Sequence, residues 1–318
     1  MKAHSWNVLI ALGMIAIFSF AVFGIEVFAT SSGNVVANVQ VGNVIYLSVS
    51  PSKIYFTGLA PGSTMTTNAL NVVTDNDIGG NIAANILVEG TNLVNVSNGN
   101  SILVGNTVWS ATAGSTGISL TSTFVNTNIF IPQPTLSIPS TGNFIYFGVN
   151  IPGGTPPGNY VQTISFENEN TTQLKYNQSS SSNTVTLVAN VVGTCYISLS
   201  TNSISFGNVY ASANVPTNVL VTDYDNNGNV AATLMVSGTN WQGATTTFGV
   251  SNTLWSAASQ SSYTGNALTS TLTSTGITVP APTQSSPTQS APIYFGLAVP
   301  PGTPGGSYTQ TITIENSC

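Results

Sequence analysis

Charged residues are nearly absent from this sequence. Of its 318 residues, only 4% are Asp, Glu, Lys or Arg, whereas a soluble globular domain usually carries about 25%. The chain contains no arginine, and its few lysines are not clustered. Because nucleic-acid binding needs several Lys or Arg side chains against the phosphates, this composition excludes nucleic acid as a partner.

The groups that most enzymes use are also scarce. The single histidine is His4, near the N-terminus, so the rest of the chain offers no imidazole for a catalytic triad or a metal site. The few acidic residues are mostly close neighbours in predicted turns or at strand ends, an arrangement that does not set two carboxylates across a cleft, as a glycosidase requires. The sequence therefore predicts that the protein is not an enzyme and has no cofactor, a calcium ion apart.

A long apolar run occupies residues 8–25. Val27 and Ala29 follow it and suit the −3 and −1 positions of a secretory signal that is cut before Thr30. About 18 apolar residues also suffice to span a bilayer, so a retained membrane anchor is the open alternative. In both cases residues 1–29 direct export. The body is predicted to be secreted or displayed at the cell surface, and to meet a membrane only through the apolar run.

The remainder of the chain contains the same pattern twice. The block Tyr146-Phe147-Gly148 leads through a Pro/Gly turn into a strand, and Tyr294-Phe295-Gly296 does the same near the C-terminus. Further matched blocks keep the same order. Their separation changes only from 152 residues (Val188 against Val36) to 146 residues (Trp255 against Trp109). This regularity indicates a tandem duplication.

Both copies have the pattern of β-strands. Short runs rich in Val, Ile, Thr, Tyr and Phe alternate apolar with polar residues between Gly, Pro, Asn and Ser breaks, and no helical period of useful length is present. Seven or more such strands per copy predict an all-β fold of two tandem antiparallel immunoglobulin-like β-sandwiches. The predicted boundaries are 30–169 for repeat one, 170–184 for a polar linker and 185–318 for repeat two.

A matched strand opens each repeat, at residues 34–41 and 185–192. A strand of this kind can complete the open sheet of a neighbouring molecule by β-augmentation, to which incomplete sheets are prone. If the strand closes its own domain instead, the molecule stays monomeric or anchored. The sequence leaves both outcomes open.

Two cysteines occur, and both are in repeat two. Cys195 lies at its start and Cys318 follows its last strand, whereas repeat one has Ile45 and Asn170 at the matched positions. Residues that are gained together are expected of a bonded pair, which in an exported protein is normally a disulfide. The bond would close a loop of roughly 120 residues, worth ~4–5 kcal/mol by chain entropy. Free thiols or a disulfide to another subunit are the alternatives.

An acidic turn resembles the first half of a calcium loop. Asp223, Asp225 and Asn227 place oxygen atoms at alternate positions with a glycine at the sixth, and repeat one keeps Asp75 and Asp77. The bidentate Glu expected at the twelfth position is missing. The same residues suit a hairpin turn, which is the preferred interpretation, with a calcium site as the alternative.

Two features bear on glycans. Asn95, Asn170 and Asn177 match the N-glycosylation pattern. Trp109 and Trp255 recur at equivalent positions before Ser-Ala. An exposed Trp ring can stack on a sugar, but a buried one strongly stabilises a small two-layer core, and we expect the core.

Two sets of blocks carry a resemblance to known families. Gly238-Thr239-Asn240-Trp241 and Pro300–Ile314, with their partners in repeat one, resemble the immunoglobulin-like modules of prokaryotic, especially archaeal, surface proteins. Ser205-Phe206-Gly207 with Val221-Thr222-Asp223 resembles the WxL wall-binding domain of Gram-positive bacteria, although the chain contains no Trp-x-Leu motif. The resemblance implies a structural or adhesive role at the surface.

The sequence thus predicts a non-enzymatic extracellular structural protein of the cell surface, acting as a spacer, coat or filament subunit. Its partners would be other copies of itself or other surface proteins. The alternative is an adhesion module that recognises a cell-surface glycan, with or without calcium.

Overall fold

This computed structural model describes residues 37–68, 72–170 and 182–318. The chain divides after Gly42, and Asn43–Cys318 forms one compact unit. The predicted signal or anchor at residues 1–29 lies outside the described residues. Across the ranges that are described, no helix is long and apolar enough to cross a membrane.

Short strands make up about half of the described residues of the compact unit, as the alternating pattern predicts. The first half contains β1 to β12, which are in chain order Ser48–Ser50, Lys53–Leu59, Val72–Ile78, Ala84–Gly90, Leu93–Asn95, Ser101–Ile102, Thr107–Ser110, Ile118–Ser119, Val125–Ile131, Ser140–Val149, Gly158–Asn170 and Ser182–Val191. The second half contains β13 to β22, which are Ser198–Leu199, Asn214–Asn226, Ala232–Gly238, Trp241–Gln242, Thr247–Phe248, Thr253–Ser256, Asn266–Ala267, Thr273–Val279, Thr288–Ala298 and Ile312–Ser317.

Packed sheets form each half, which confirms the predicted all-β immunoglobulin-like class. Sandwich one combines the sheet β1-β3-β10-β7-β8 with the sheet β2-β12-β11-β4-β9, to which β5 and β6 are attached. Sandwich two combines β13-β14-β21-β18-β19 with β20-β15-β22 and the small hairpin β16-β17. Among the strands described, only β2 and β12 pair in parallel.

Each sandwich has its own apolar core. In sandwich one, Phe147 of β10 and Phe166 of β11 meet edge to face from the two sheets, with ring centroids 6.2 Å apart. Phe295 of β21 is fully buried in the second core. Trp109 and Trp255 are buried in the two cores, so the core interpretation is confirmed and neither ring is open to a sugar. Burying a side chain of this size contributes roughly 1.5–3 kcal/mol.

Strand by strand, sandwich two repeats the plan of sandwich one with two exceptions. The order β1-β3-β10-β7-β8 corresponds to β13-β14-β21-β18-β19, and β9-β4-β11 corresponds to β20-β15-β22. The hairpin β5-β6 corresponds to β16-β17. Within the described residues, sandwich two has no strand in the places of β2 and β12.

Matched polar contacts accompany the matched strands. Gln162 Nε2 donates to the Thr91 carbonyl at 2.6 Å, and Gln162 Oε1 accepts from the Thr107 hydroxyl at 2.8 Å. In sandwich two, Gln310 makes the same two bonds at 2.7 and 2.8 Å. These glutamines bind the neighbouring loop, and their role is to satisfy its polar groups.

The two sandwiches meet at a polar junction. Asn229, between β14 and β15, donates from Nδ2 to the carbonyl oxygens of Thr155 at 2.9 Å and Val192 at 2.8 Å. Gln284 donates to the hydroxyl of Thr155 at 3.2 Å, and Thr155 is fully buried. The junction therefore also holds the end of β12, where the chain passes from one sandwich to the next.

Candidate functional site: the groove of sandwich two

Strand β12 lies between β11 and β2 in sandwich one. It runs antiparallel to β11, with Gly158 opposite Val191, and parallel to β2, with Thr186 opposite Lys53. Its inward side chains alternate along the strand and are fully buried in the first core; they are Val185, Leu187, Ala189 and Val191. The strand that precedes sandwich two in sequence therefore completes sandwich one, and does not close the domain that follows it.

The counterpart of β2 in sandwich two is not a strand. Ile204 and Phe206 match Ile54 and Phe56 of β2 in sequence, yet residues 203–207 have no strand structure. Ile54 and Phe56 are 3% and 2% exposed, whereas Ile204 and Phe206 are only partly buried. In sandwich one, β2 joins its sheet through β12. Without a strand in the place of β12, residues 203–207 have no neighbouring strand to pair with.

The inner face of β22 is open in the same way. In β11 the inward residues Tyr160, Gln162, Ile164 and Phe166 are at most 1% exposed. Their counterparts in sandwich two, Tyr308, Gln310, Ile312 and Ile314, are all only partly buried. Strand β22 pairs with β15 on one edge, and in the part of the chain that the structure describes no strand pairs with its other edge.

A groove results between β22 and residues 203–207. It consists of two adjoining clefts of about 690 Å³ and about 290 Å³, which share Ile204, Phe206, Trp241 and Tyr308 in their walls. Apart from tyrosine, none of the described residues that line it is ionisable. The groove is thus an uncharged slot of mixed polar and apolar lining beside an unpaired strand edge, and its smaller cleft is the more apolar one.

An aromatic cluster lies where the two clefts of the groove adjoin. Trp241 stacks on Phe248 with centroids 5.5 Å apart and planes at 15°, and Phe206 meets Trp241 at 6.0 Å. Phe248 also contacts Tyr308 at 5.3 Å. The sequence analysis missed this cluster. A signal was present, because repeat one has Leu93 and Ile102 at the positions of Trp241 and Phe248, so the second copy alone carries these two rings.

A disulfide joins Cys195 to Cys318, as the cysteine pattern predicts. It connects the segment before β13 to the end of β22, with the two Cα atoms 6.2 Å apart. Asn316 Nδ2 donates to the Tyr196 carbonyl at 2.8 Å beside it. The end of β22 farthest from the aromatic cluster is therefore fixed covalently.

The four aspartates of the acidic turns are fully buried. Asp75 lies in β3 with Asp77, and Asp223 lies in β14 with Asp225. Burial raises the pKa of Asp75 to about 7, with the nearby charge of Asp77 adding to the effect and a 3.3 Å hydrogen bond from Asn168 opposing it. Burial also raises the pKa values of Asp77, Asp223 and Asp225.

The outer aspartate of each pair organises a turn. Asp77 Oδ1 accepts from the Tyr46 amide at 3.0 Å and the Gly80 amide at 3.1 Å. Asp225 Oδ1 accepts from Tyr196 and Gly228 at the same two distances. A Cβ at either glycine would collide with the carboxylate, so the turn needs glycine there. The geometry fits the turn interpretation.

The calcium hypothesis has little further support. The side chain of Asn227 lies against Gly62 and Gly153 of sandwich one. In the described ranges, no group of three or more His, Cys, Asp or Glu side chains could hold a metal ion. A calcium site at Asp223 and Asp225, or at Asp75 and Asp77, stays a prediction.

Of the three glycosylation motifs, only the Asn95 side chain lies within the described residues. It is buried, its Nδ2 donates to the Pro157 carbonyl at 3.4 Å, and its Oδ1 accepts from the Ser97 amide at 2.9 Å. A glycan on Nδ2 would require this side chain to leave these contacts, and glycosylation at Asn95 stays a prediction. The side chains of Asn170 and Asn177 are outside the described residues.

No family model matches the chain. No curated protein matches it either. Among solved structures, the chaperone–tip adhesion subunit complex CsuC–CsuE of Acinetobacter baumannii archaic chaperone-usher pili is similar over 86% of this chain and 100% of that chain, with 10% identity and a TM-score of 0.43. The CooA pilin subunit of enterotoxigenic Escherichia coli covers 47% of this chain and 99% of its own, with 14% identity and a TM-score of 0.29.

The CupB6 tip adhesin of Pseudomonas aeruginosa covers 85% of this chain and 95% of its own, with 8% identity and a TM-score of 0.30. These likenesses concern the all-β immunoglobulin-like fold alone. The specific resemblance to archaeal surface modules or to the WxL domain is not supported by them.

Proposed function

We propose that this protein is a non-enzymatic structural subunit of the cell surface whose copies assemble by strand addition. One observation carries the proposal. Strand β12 precedes sandwich two in sequence but fills the slot between β11 and β2 of sandwich one. Sandwich two is built on the same plan, and within the described residues its corresponding slot holds no strand.

An empty slot of this kind favours pairing with another strand. The free edge of β22 presents backbone N–H and C=O groups, which are a template for a further strand. The partly buried Ile204, Ile312 and Ile314 line the same slot. Fully burying a side chain of this size contributes roughly 1.5–3 kcal/mol, so an inserted strand would gain both main-chain hydrogen bonds and apolar burial.

The groove suits a peptide strand better than a glycan. Sugar binding combines stacking on an exposed ring with hydrogen bonds to hydroxyl groups. Here Trp241 is almost fully buried and stacked on Phe248, and aliphatic side chains line much of the smaller cleft. The absence of ionisable groups other than tyrosine among the described lining residues also argues for a non-enzymatic role.

Electron microscopy of the isolated cell surface tests this function. With an antibody against sandwich two, we expect label along extended, regularly repeating assemblies. Material released by mild extraction should sediment as oligomers of increasing length. Finding only monomers after mild extraction, or no label at the surface, would overturn the proposal. Release of monomers by a cell-surface polysaccharide would identify the adhesion module instead.

A further inference from the structure

We infer that the groove of sandwich two binds residues 37–41 of a second copy of this chain, as a strand antiparallel to residues 304–310, which lead into β22. The inference rests on the proposed function and adds the partner, the segment and the direction. Each copy would then carry a donor strand before sandwich one and an acceptor groove in sandwich two, so that copies join head to tail.

The donor segment, together with Val36 before it, shares a four-residue block with the end of β12. Val36-Ala37-Asn38-Val39 has the same residues in the same order as Val188-Ala189-Asn190-Val191, which lie in the slot of sandwich one. Residues 37–41 form no strand, and Val39 and Val41 are 88% and 74% exposed. Two large aliphatic side chains thus lie uncovered on a segment whose twin is buried.

The alternation of the segment matches the slot. In β12 the odd-numbered residues face the core. Two registers relate the segment to β12. The first has an offset of 152 residues, which the shared block indicates, and the second has an offset of 150 residues, which the pair Tyr46 and Tyr196 indicates. Both registers place odd-numbered residues inward. Ala37, Val39 and Val41 then face the groove, and Asn38 and Gln40 face solvent. A shift of one residue would invert this arrangement.

Sandwich one also predicts what lies opposite the donor. Asn190 Nδ2 donates to Asn159 Oδ1 at 2.8 Å on the outer face, and these two residues are directly opposed. Ser307 is the counterpart of Asn159 in sandwich two and is exposed. Ser307 should therefore face Asn38 in the first register or Gln40 in the second.

The donor must come from a chain segment that precedes a sandwich. In sandwich one the slot is filled by the strand in front of the next sandwich, not by a strand in front of its own. Only one other stretch of this sequence carries the Val-Ala-Asn-Val block, and it stands in front of sandwich one. For the groove of sandwich two, the corresponding donor is therefore that stretch from another copy.

Cysteine cross-linking between two differently tagged full-length proteins tests the inference. One protein carries Ser307→Cys, and the other carries Asn38→Cys, Gln40→Cys or Val39→Cys. All of these positions are exposed, so the fold should be unchanged, which the melting temperature and the β-sheet circular dichroism check. Opposed outward residues on antiparallel strands bring Cβ atoms within disulfide distance, whereas an inward residue does not.

We expect Ser307→Cys to form a mixed dimer on non-reducing gels with Asn38→Cys or with Gln40→Cys. We expect no mixed dimer between Ser307→Cys and Val39→Cys. A mixed dimer from Val39→Cys alone would overturn the inference, because the donor face would be inverted. Absence of all three mixed dimers would also overturn it. The inference would still be wrong if a single chain that carries both cysteines formed the bond only within itself. If surface assemblies are still seen by microscopy, the proposed function survives and only the donor is wrong.

Discussion

Ile164 and Ile312 hold matched positions in β11 and β22 but differ in what covers them. Ile164 is fully buried and lies opposite Val185 of β12. Ile312 is partly buried and faces the groove. If the groove is open in the monomer, replacing each isoleucine by alanine should lower the free energy of unfolding by different amounts.

The expected difference follows from burial. At Ile164 the change removes buried methyl and methylene groups and leaves a closed cavity, which costs about 2–5 kcal/mol. At Ile312 less apolar area returns to water and no closed cavity forms, so the loss in the monomer should be about 1 kcal/mol. Once a strand fills the groove, the loss at Ile312 should rise into the range expected for Ile164.

Urea titration followed by hydrogen-exchange mass spectrometry measures both sandwiches in one sample. Peptides from β11 and β22 report the two unfolding transitions separately, at a dilution that keeps the protein monomeric. Thr163→Ala and Thr311→Ala are matched controls, because these neighbours are exposed. They should change the free energy of unfolding by no more than about 0.5 kcal/mol. An equal loss for Ile164→Ala and Ile312→Ala in the monomer would refute the open groove.

Three further measurements follow from the buried groups. The folded pKa of Asp75, about 7, lies above its unfolded value of 3.8. Sandwich one should therefore be most stable below about pH 4, and its free energy of unfolding should fall by up to roughly 4 kcal/mol as the pH rises from there through 7. In urea titrations, Asp75→Asn should flatten this dependence on pH. Replacing Cys195 and Cys318 by serine should lower the free energy of unfolding of sandwich two by ~4–5 kcal/mol, and an equal loss in sandwich one would contradict this. The melting temperature should be the same in calcium and in EDTA, because backbone amides already bind Asp225 Oδ1. A clearly higher melting temperature in calcium would favour the calcium hypothesis instead.

The fold class and the duplication could be predicted because both depend on local pattern. The two Tyr-Phe-Gly blocks lie in the central strands β10 and β21, and Phe147 and Phe295 are fully buried there. Period-two alternation determines which face of a strand is buried, and the repeat of whole blocks determines that two such sandwiches exist.

The sheet to which a strand belongs does not follow from alternation. The alternation is consistent with Val185 and Leu187 as inward residues, which they are in β12, but the same pattern would serve in either sandwich. Since consecutive strands commonly pair, the proximity of β11 and β12 in sequence was a signal for sandwich one. The match between residues 185–192 and residues 34–41 pointed the other way, because it suggested that each of these strands belongs to the repeat that it opens.

The buried aspartates show a second gap. Asp75 and Asp77 follow Val73 at steps of two, so the alternation of β3 places all three on the inner face. Turn chemistry explains Asp77, whose carboxylate binds two backbone amides. It does not account for Asp75, which is held inside the sheet by strand register and receives a hydrogen bond from Asn168. Burial of this carboxyl could only be seen once the strand was placed.

The place of the disulfide now has a physical reason. In sandwich one, β11 is held on both edges, by β12 and by β4. In sandwich two, β22 is held by β15, and the described residues supply no strand for its other edge. An edge strand of six residues would fray at its end. The bond from Cys318 to Cys195, with the hydrogen bond from Asn316 to Tyr196, fixes that end to the segment entering β13.

The disulfide therefore helps to hold β22 in place, as β12 does for β11. This explains why repeat one, with Ile45 and Asn170 at the matched positions, needs no cysteines. It also bears on how a donor strand can enter. Because β22 is held in place by the disulfide and by β15, this part of the acceptor edge is formed before the donor arrives. The incoming strand then has to order itself, residues 203–207 and residues 304–310, which lead into β22 without strand structure. The rest of sandwich two need not unfold.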